Sequence, residues 1–491
     1  APAQLELTAR LGPDGGLESV GAGLAARAGA IDLGQGRRIP IAALDATLTW
    51  SEAGASLQRA TLRLDGPGTP TLTAHGSAQR AEGRWRATAE LGLDSLPLVE
   101  LRRWWPPGLG TGERDWLLAN LTAGTARDGS WRIEAEAAED LSGLSVTAFS
   151  GTLGVADATV HWLRPIPPVE GASGQVAFGL DAVTVRVASA RQQGRAVQAR
   201  DATLRFAFPP GATPTADLAI GLSGPVPDVL AVLQHPRLGL FERRPLPLTD
   251  PQGALDGRVT LAFPLLDDLA VEQLRVRGQA QLRGVRLGDV LLGKPLERGQ
   301  FELTVDNDGL RVNGTATMAE IAARLGVEMD FRGGPPTQVT MRESVQARAD
   351  ARQLAALGLA SEEVVRGPVG LEVRTERRRN GSGRVQLRAD LREAALALEL
   401  AGWSKPAGQN AGADAVLRLA GDSLEAIESF RIEAPSLLLR GNATFGRGTR
   451  LERVTISEAQ VEGSRLAGEA RPPAQSGGPW RVALRGQVLD L

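Results

Sequence analysis

The stretch Glu272–Phe331 alternates apolar with polar side chains. From Leu274 to Leu282 the even-numbered residues are apolar or small, and the odd-numbered residues carry a charge or an amide. This period of two is typical of a β-strand with one apolar and one polar face. The alternation returns in Phe301–Val305 and Leu310–Val312, on either side of the turn-forming sequence Asp306–Gly309. The stretch therefore predicts a hairpin within a larger, mostly antiparallel sheet.

Segments with the same period recur along the whole chain and predict about two dozen strands in an all-β fold. Helical segments are few and short, and a parallel α/β sheet would need one after each strand. The apolar faces must therefore pack against each other in sandwiches, close as barrels, or curl around something that is not protein. The predicted helices are Leu96–Trp105, a helix from Thr111 to near Gly124, Asp228–Gln234, Ala349–Leu357, and one that begins near Ser361.

Proline and glycine clusters divide the predicted sheet into segments. The stretch with Pro245, Pro247 and Pro251 is the best candidate for a bend or subdomain boundary. The predicted segments are an N-terminal β-segment (1–95), a short helical, Trp-rich insert (96–124), a β-segment (125–224), a helix with a Pro-rich connector (225–251), and a C-terminal β-segment (252–491).

Composition narrows the possible functions. The chain has 491 residues, of which 4% are aromatic and none is tyrosine, so we expect a thin apolar layer of Ala, Val and Leu. Its net charge of −2, with both signs interspersed, gives no field that would attract nucleic acid. Without cysteine, disulfides and thiolate metal sites are excluded. We find no apolar run long enough for a membrane helix and no signal peptide. Because the chain starts at Ala1, we expect it to be a portion of something longer.

Catalytic chemistry has little support in the sequence. His75, His161 and His235 are far apart and lack metal-ligand spacing, and we interpret His235 as a cap at a helix end. Asp306–Gly309 imitates part of a calcium loop but lacks the distal Glu, which favours a turn. No nucleophile elbow or phosphate-binding glycine loop is present. We therefore predict a protein that is not an enzyme and has no cofactor or metal.

Several motifs resemble those of the bacterial AsmA-like superfamily, in its YhdP branch. They are, in order, Trp104, Trp105 and Pro106 with the residues up to Leu109; Arg114, Asp115, Trp116 and Leu117; Asn120 to Gly124; Ile166–Gly171; and Ala401–Gly408 with its Trp403-Ser404-Lys405 core. The resemblance covers most of the chain. The first motif is the most specific, and Trp104, Trp105, Pro106, Arg114, Trp116, Asn120 and Gly124 are its structural residues.

The resemblance implies a long, twisted, curled (U-section) sheet that forms an apolar groove. It also implies an anchor in the inner membrane of a Gram-negative bacterium, a location in the periplasm, and transfer of phospholipids toward the outer membrane. Expected partners are phospholipids, the inner membrane through a missing N-terminal anchor, and outer-membrane or periplasmic proteins. We expect the family's N-terminal membrane helix to be missing from this chain.

The candidate groove is the apolar face of the predicted C-terminal strands. Its alternatives are the core of an ordinary sandwich and a non-transport scaffold or regulator of outer-membrane assembly. The predicted groove residues are Leu261, Phe263, Leu274, Val276, Leu282, Phe301, Leu303, Val305, Leu310, Val312, Val327, Met329, Phe331, Val373, Val385, Leu387, Leu391, Phe430, Ile432, Leu437, Leu439, Phe445, Val482 and Leu484.

Three further features have two interpretations each. The Trp104, Trp105 and Trp116 group is a latch of two helices against the sheet or a headgroup or membrane-interface element. The run Arg374–Arg379 is a solvated hairpin tip or a contact for lipid phosphates. Lys405 has a polar structural role or binds a headgroup.

Overall fold

The computed structural model describes residues 3–32, 38–105, 111–238, 248–266, 270–291, 294–356, 363–399, 402–421, 423–446, 450–473 and 479–488. Strands hold 72% of the residues and helices 8%, so helices cannot cover the strands. A single antiparallel sheet contains 26 of the strands and is not closed. The predicted all-β fold with a long antiparallel sheet and a few short helices is therefore confirmed.

The chain divides into two compact units. The first comprises Ala1–Gly224, Asp228–Arg243 and Arg258–Arg275, and the second Pro225–Pro227, Arg244–Gly257 and Val276–Leu491. The strands of the first unit are β1 (Ala3–Leu11), β2 (Leu17–Asp32), β3 (Arg38–Ser51), β4 (Gly54–Leu64), β5 (Thr71–Ala81), β6 (Arg84–Pro97), β7 (Leu121–Ala138), β8 (Ser145–Val160), β9 (Val169–Gly179), β10 (Ala182–Gln192), β11 (Gln198–Ala207) and β12 (Thr215–Pro225). From β1–β2 to β11–β12, consecutive strands pair antiparallel.

Strand β13 (Thr249–Pro264) contributes residues to both units. The second unit continues the meander. Its main strands are β14 (Arg275–Leu291), β15 (Lys294–Asp306), β16 (Gly309–Met318), β17 (Ile321–Asp330), β18 (Val339–Asp350), β20 (Pro368–Arg378), β21 (Ser382–Asp390), β24 (Gly412–Ala420), β25 (Ser423–Ala434), β26 (Leu437–Gly446), β27 (Arg450–Val461), β28 (Ser464–Arg471) and β29 (Arg481–Val488). The strands β19 (Val365–Arg366), β22 (Ala395–Leu398) and β23 (Trp403–Lys405) form a separate small sheet.

The helices of the described residues are short. They are α1 (Leu101–Trp104), α2 (Thr111–Asn120), α3 (Val226–Leu233) and α4 (Ala351–Ala356), with single 3-10 turns at Leu98–Glu100, Pro236–Leu238 and Val271–Gln273. Within the part of the chain that the structure describes, none has the length and apolarity to cross a membrane.

Two helix predictions need correction. The second helix ends at Asn120, not near Gly124, because β7 begins at Leu121. Gly124 lies in that strand with φ of +109°, and a Cβ there would come within 2.6 Å of the Ala158 Cα, so the close approach of β8 requires glycine. The helix near Ser361 is also wrong: Ser361 itself lies outside the described residues, and Val365 already belongs to β19.

Charged residues on the polar face help to fix the register of the sheet. Direct cross-strand partners carry opposite charges, as in Arg86 Nε, 3.2 Å from Glu136 Oε1, and Arg342 Nε, 3.2 Å from Glu376 Oε1. Each exposed pair adds little stability. A slip of one residue, however, would turn every one of these charges onto the apolar face, so the alternation strongly specifies the pairing.

In each unit, a few short elements pack over one side of the apolar face. In the first unit, Leu98 of the helical insert is buried against Ala126 and Ala158, and Leu153 and Val155 of β8 pack on this cluster. In the second unit, α4 and the small sheet contribute Leu354, Leu396 and Trp403 to a core that also contains Ala349, Val369 and Ala389 of the main sheet. Protein therefore covers only part of each apolar face.

Candidate functional site

A continuous row of apolar side chains crosses the second unit. Direct cross-strand partners lie on the same face of a sheet, so the register defines which side chains are neighbours. This central row comprises Leu282, Phe301, Gly314, Leu325, Val345, Val373, Leu387, Ala415, Phe430, Gly441, Ile456, Gly468 and Leu484. Every main strand from β14 to β29 contributes one member, and no member is polar.

Two more rows run beside it. The inner row, on the side of the α4 cover, comprises Ala316, Ala323, Ala347, Leu371, Ala389, Ala413, Ile432, Leu439, Ala459 and Leu466. The outer row comprises Ala280, Leu303, Val312, Val327, Glu343, Thr375, Val385, Leu417, Ile427, Ala443, Val454, Ala470 and Val482. Only Glu343 and Thr375 interrupt the apolar character of these rows.

The first unit carries an equivalent row that we did not single out from the sequence. It comprises Leu5, Leu24, Ala46, Ala60, Ala74, Leu91, Trp131, Gly151, Phe178, Val183, Phe206 and Ala216. The period-two alternation could have identified these residues, but the many alanines make the alternation weak in apolar area. The terminal strands leave their apolar side chains exposed: Leu5 on β1 of the first unit is 62% exposed, and Leu484 on β29 of the second unit is 57% exposed.

Large rings lie over glycines of the neighbouring strand. A Cβ on Gly441 would meet the Phe430 ring at 2.6 Å, and a Cβ on Gly151 would meet the Trp131 ring at 2.2 Å. The rings therefore occupy space that a side chain would otherwise fill. They add apolar area to the face at positions where the neighbouring strand has no side chain.

Most predicted groove residues come together on this face and are half-buried. Val305, Leu310 and Met329 form a further cross-strand set beyond the outer row, and Val276 alternates onto the same face of β14. The remaining half-buried residues lie elsewhere: Phe445 opposite Leu451, Phe331 just after β17, Leu274 just before β14, and Leu261 and Phe263 on β13.

Two predicted groove residues do not line an open face. Leu391 and Leu437 are buried in the core beneath the small sheet, at 9% and 4% exposure. Both lie at strand ends, where a local loop or cover can bury them, and alternation alone does not reveal such covers. Ile432 and Leu439 also pack against this core but remain half-buried in the inner row.

The Trp-rich insert covers part of the sheet, but its three tryptophans do not act as one group. The Arg103 guanidinium stacks 4.7 Å above the Trp104 ring, and Trp104 is half-buried. Arg114 Nε donates to the Trp105 carbonyl at 3.2 Å, which ties α2 to α1. Trp116 is 50% exposed, so it does not contribute to a latch.

Other motif residues hold the insert in place. The Asn120 Nδ2 donates to the Trp116 carbonyl at 3.0 Å, and the Asn120 carbonyl accepts from the His161 backbone N–H at 2.9 Å. Pro106 lies outside the described residues. These contacts support the latch interpretation for the helices as a whole.

Lys405 has a structural role. It is 2% exposed, and its Nζ donates to the carbonyls of Leu391 at 3.0 Å, Arg392 at 3.1 Å and Ala394 at 2.6 Å. Burial lowers the pKa of its ammonium group, and the nearby Asp390 opposes this shift. The ammonium ties the loop before the small sheet into the core, so we assign Lys405 no headgroup contact.

The three histidines lie apart in local contacts. His75 Nε2 is 3.0 Å from Glu90 Oε2 on the polar face, and His161 Nε2 is 3.2 Å from Thr122 Oγ1. His235 Nδ1 accepts from the Arg237 backbone N–H at 3.1 Å and so caps the 3-10 turn that follows. Among the described residues no group of histidines and acidic residues could hold a metal ion.

Comparison with known proteins agrees with the geometry. A family model described as YhdP protein matches residues 18–491, nearly the whole chain. No curated protein matches the chain.

Proposed function

The chain belongs to the YhdP protein family, and we propose that the apolar faces of its two units bind the acyl chains of phospholipids and let them pass along the sheet. The family is one of the Gram-negative cell envelope and suggests an AsmA-like role in lipid transport. The observation that carries the proposal is the central row, an apolar path that runs from strand to strand and that protein leaves half-exposed.

The energetics of acyl chains fit such a surface. Burying one methylene is worth about 0.8 kcal/mol, so a chain of about 14 carbons needs on the order of 11 kcal/mol of apolar shelter. Neighbouring strands lie about 4.8 Å apart, and each adds one more member to every row. A chain that moves by one strand therefore exchanges one apolar contact for a similar one. This near-equality lets a lipid slide without a deep energy minimum.

A closed sandwich is the principal alternative, and the exposure of the rows disfavours it. The core of a sandwich would bury its inward-facing residues completely, as Leu391 and Leu437 are buried under the small sheet. Leu387 and Val373 of the central row are only half-buried and do not belong to this buried core or to the residues packed against it. A partner with apolar surface suits such a face, and acyl chains supply it.

The proposal extends to location and partners. We propose that the protein works in the periplasm, tethered to the inner membrane when intact, and that it delivers phospholipids toward the outer membrane, where envelope proteins would receive them. The proposed activity is binding and transfer without catalysis, cofactor or nucleic acid.

Native mass spectrometry tests this proposal directly. The purified chain is incubated with phosphatidylethanolamine vesicles, separated from them and measured under conditions that keep non-covalent complexes intact. We expect masses that correspond to the chain with one or more phospholipids bound. A chain that carries no lipid after this incubation would refute the proposal and favour a closed scaffold.

A further inference from the structure

The outer row is interrupted by polar residues on two neighbouring strands. Glu343 on β18 is the direct cross-strand partner of Thr375 on β20, while Val327 and Val385 continue the row on either side. Arg377 lies two residues beyond Thr375 on the same strand and therefore on the same face, opposite Met341. All three polar side chains are half-buried.

The register sets the spacing of these groups. Directly opposite residues have Cβ atoms about 5 Å apart, and diagonal neighbours such as Glu343 and Arg377 are about 7–8 Å apart. A carboxylate, a hydroxyl and a guanidinium therefore project from one small area of an apolar surface. The Glu343 and Arg377 side chains are long and flexible, so their charged ends can contact the ammonium and the phosphate of one ethanolamine headgroup.

Glu343 differs from the other acidic residues of this region. Glu376 and Glu372 lie on the polar face, where they pair with Arg342 at 3.2 Å and with Arg374 at 2.5 Å. Among the described residues, Glu343 has neither a hydrogen bond nor an ion pair to its side chain. A half-buried carboxylate without a partner is costly in an apolar setting. Arg377, on the same face, does not pair with it in the structure, so the carboxylate is available to a cation that comes from outside the chain.

We propose that Glu343, Thr375 and Arg377 form a headgroup site for a zwitterionic phospholipid. The ammonium group binds the Glu343 carboxylate, the phosphate accepts hydrogen bonds from Arg377, and the Thr375 hydroxyl lies between them. This inference rests on the proposed function, since the acyl chains would lie on the central and inner rows. An arginine is well suited to phosphate because of its planar set of N–H donors. Arg377 also takes part in another interaction, and its several donors can serve both.

The surroundings of the site fit a lipid whose headgroup lies near the end of the strands, beside a hairpin turn. Arg377 is close to the hairpin turn at Asn380–Gly381, so the headgroup would remain in contact with water. Met329 and Met341 are cross-strand partners beside the site, and their flexible side chains can adapt to an entering chain. An anionic headgroup that lacks an ammonium would leave Glu343 unpaired and add a second negative charge, so the site discriminates against it.

A competition between two lipids tests the site. The chain is incubated with vesicles of equimolar phosphatidylethanolamine and phosphatidylglycerol that share the same acyl chains. It is then separated from the vesicles, and the bound lipids are extracted and quantified by mass spectrometry. Because a partly exposed ion pair shifts an equilibrium about two- to fivefold, we expect phosphatidylethanolamine to be enriched by that factor.

Variants separate the headgroup site from lipid binding in general. Glu343→Gln keeps the shape and removes the charge, and should abolish the enrichment while the total bound lipid stays the same. Glu343→Lys should reverse the preference toward phosphatidylglycerol. Glu376→Gln removes a charge from the opposite face of the neighbouring strand and should keep the enrichment.

Two results would overturn the headgroup site: a wild-type chain that binds both lipids equally, or an enrichment that persists unchanged in Glu343→Gln. Absence of bound lipid from every variant, wild type included, would instead refute the proposed function.

Discussion

Replacing Leu387 by aspartate should interrupt the apolar path at one strand. Leu387 lies in the middle of the central row, between Val373 and Ala415. A carboxylate there keeps its water, so the methylenes that would rest on this residue lose their shelter. If about four methylenes are affected at about 0.8 kcal/mol each, the loss is about 3 kcal/mol, or roughly a hundredfold weaker binding at that position.

The matched control is Gln386→Asp on the same strand. It introduces the same charge, but on the polar face, opposite Arg374. Transfer of a fluorescent phospholipid from donor to acceptor vesicles measures the effect, with thermal unfolding as the check that both variants fold. We expect transfer to fall strongly in Leu387→Asp and to stay near wild type in Gln386→Asp. If both variants transfer lipid at the same rate, the assignment of the path to this face is wrong.

Three further predictions concern the structures that hold the face in place. Lys405→Met removes the ammonium group that donates to three carbonyls, two of them in buried hydrogen bonds, and should lower the free energy of unfolding by about 2–4 kcal/mol, measured by urea denaturation. Gly441→Ala places a Cβ against the Phe430 ring and a backbone oxygen, and should cost about 1–3 kcal/mol in the same assay. The Arg332 side chain donates two hydrogen bonds to Asp330 and lowers the pKa of that carboxyl well below its usual range. The folded pKa of Asp330 lies below its unfolded pKa, so the stabilisation by this ion pair is fully present above about pH 4 and is lost as the pH falls further. Asp330→Asn should therefore show a smaller decrease of the unfolding temperature on acidification below that pH.

Alternation in the sequence predicts the sheet because each strand must divide its side chains between two faces. The hairpin at Asp306–Gly309 illustrates this: Val305 and Leu310 are cross-strand partners, as the pattern requires. The turn residues and the apolar period agree here, so local and global preferences specify the same structure. The same reasoning places Leu303, Val312 and Val327 side by side.

Features that depend on contacts distant in the sequence could not be predicted in this way. Leu391 reads as a continuation of the apolar face, yet it is buried in the core beneath the small sheet, whose strands come from segments before and after it. Lys405 has a defined role only once the loop around Arg392 folds over its ammonium group. The helix predicted near Ser361 fails because the apolar core draws Val365 into a strand, and a tertiary contact of this kind overrides helix propensity.

Glu343 is the most informative departure from the pattern. In the sequence it occupies an apolar position between Met341 and Val345 and is merely a break in the alternation. The register shows that this break coincides with Thr375 and lies beside Arg377, which turns an irregularity into a localised polar site. Places where a local rule fails inside an otherwise consistent element are where function is expected.

Site-specific photo-crosslinking in living cells shows whether phospholipid lies against the apolar face of the sheet. A photoreactive amino acid is placed at positions 303 and 387 on the apolar face, and at positions 302 and 386 on the polar face of the same strands. After irradiation, phospholipid attached to the purified protein is quantified by mass spectrometry. We expect lipid adducts at 303 and 387 and none above background at 302 and 386. Equal labelling at all four positions, or no adduct at 303 and 387, would contradict this expectation.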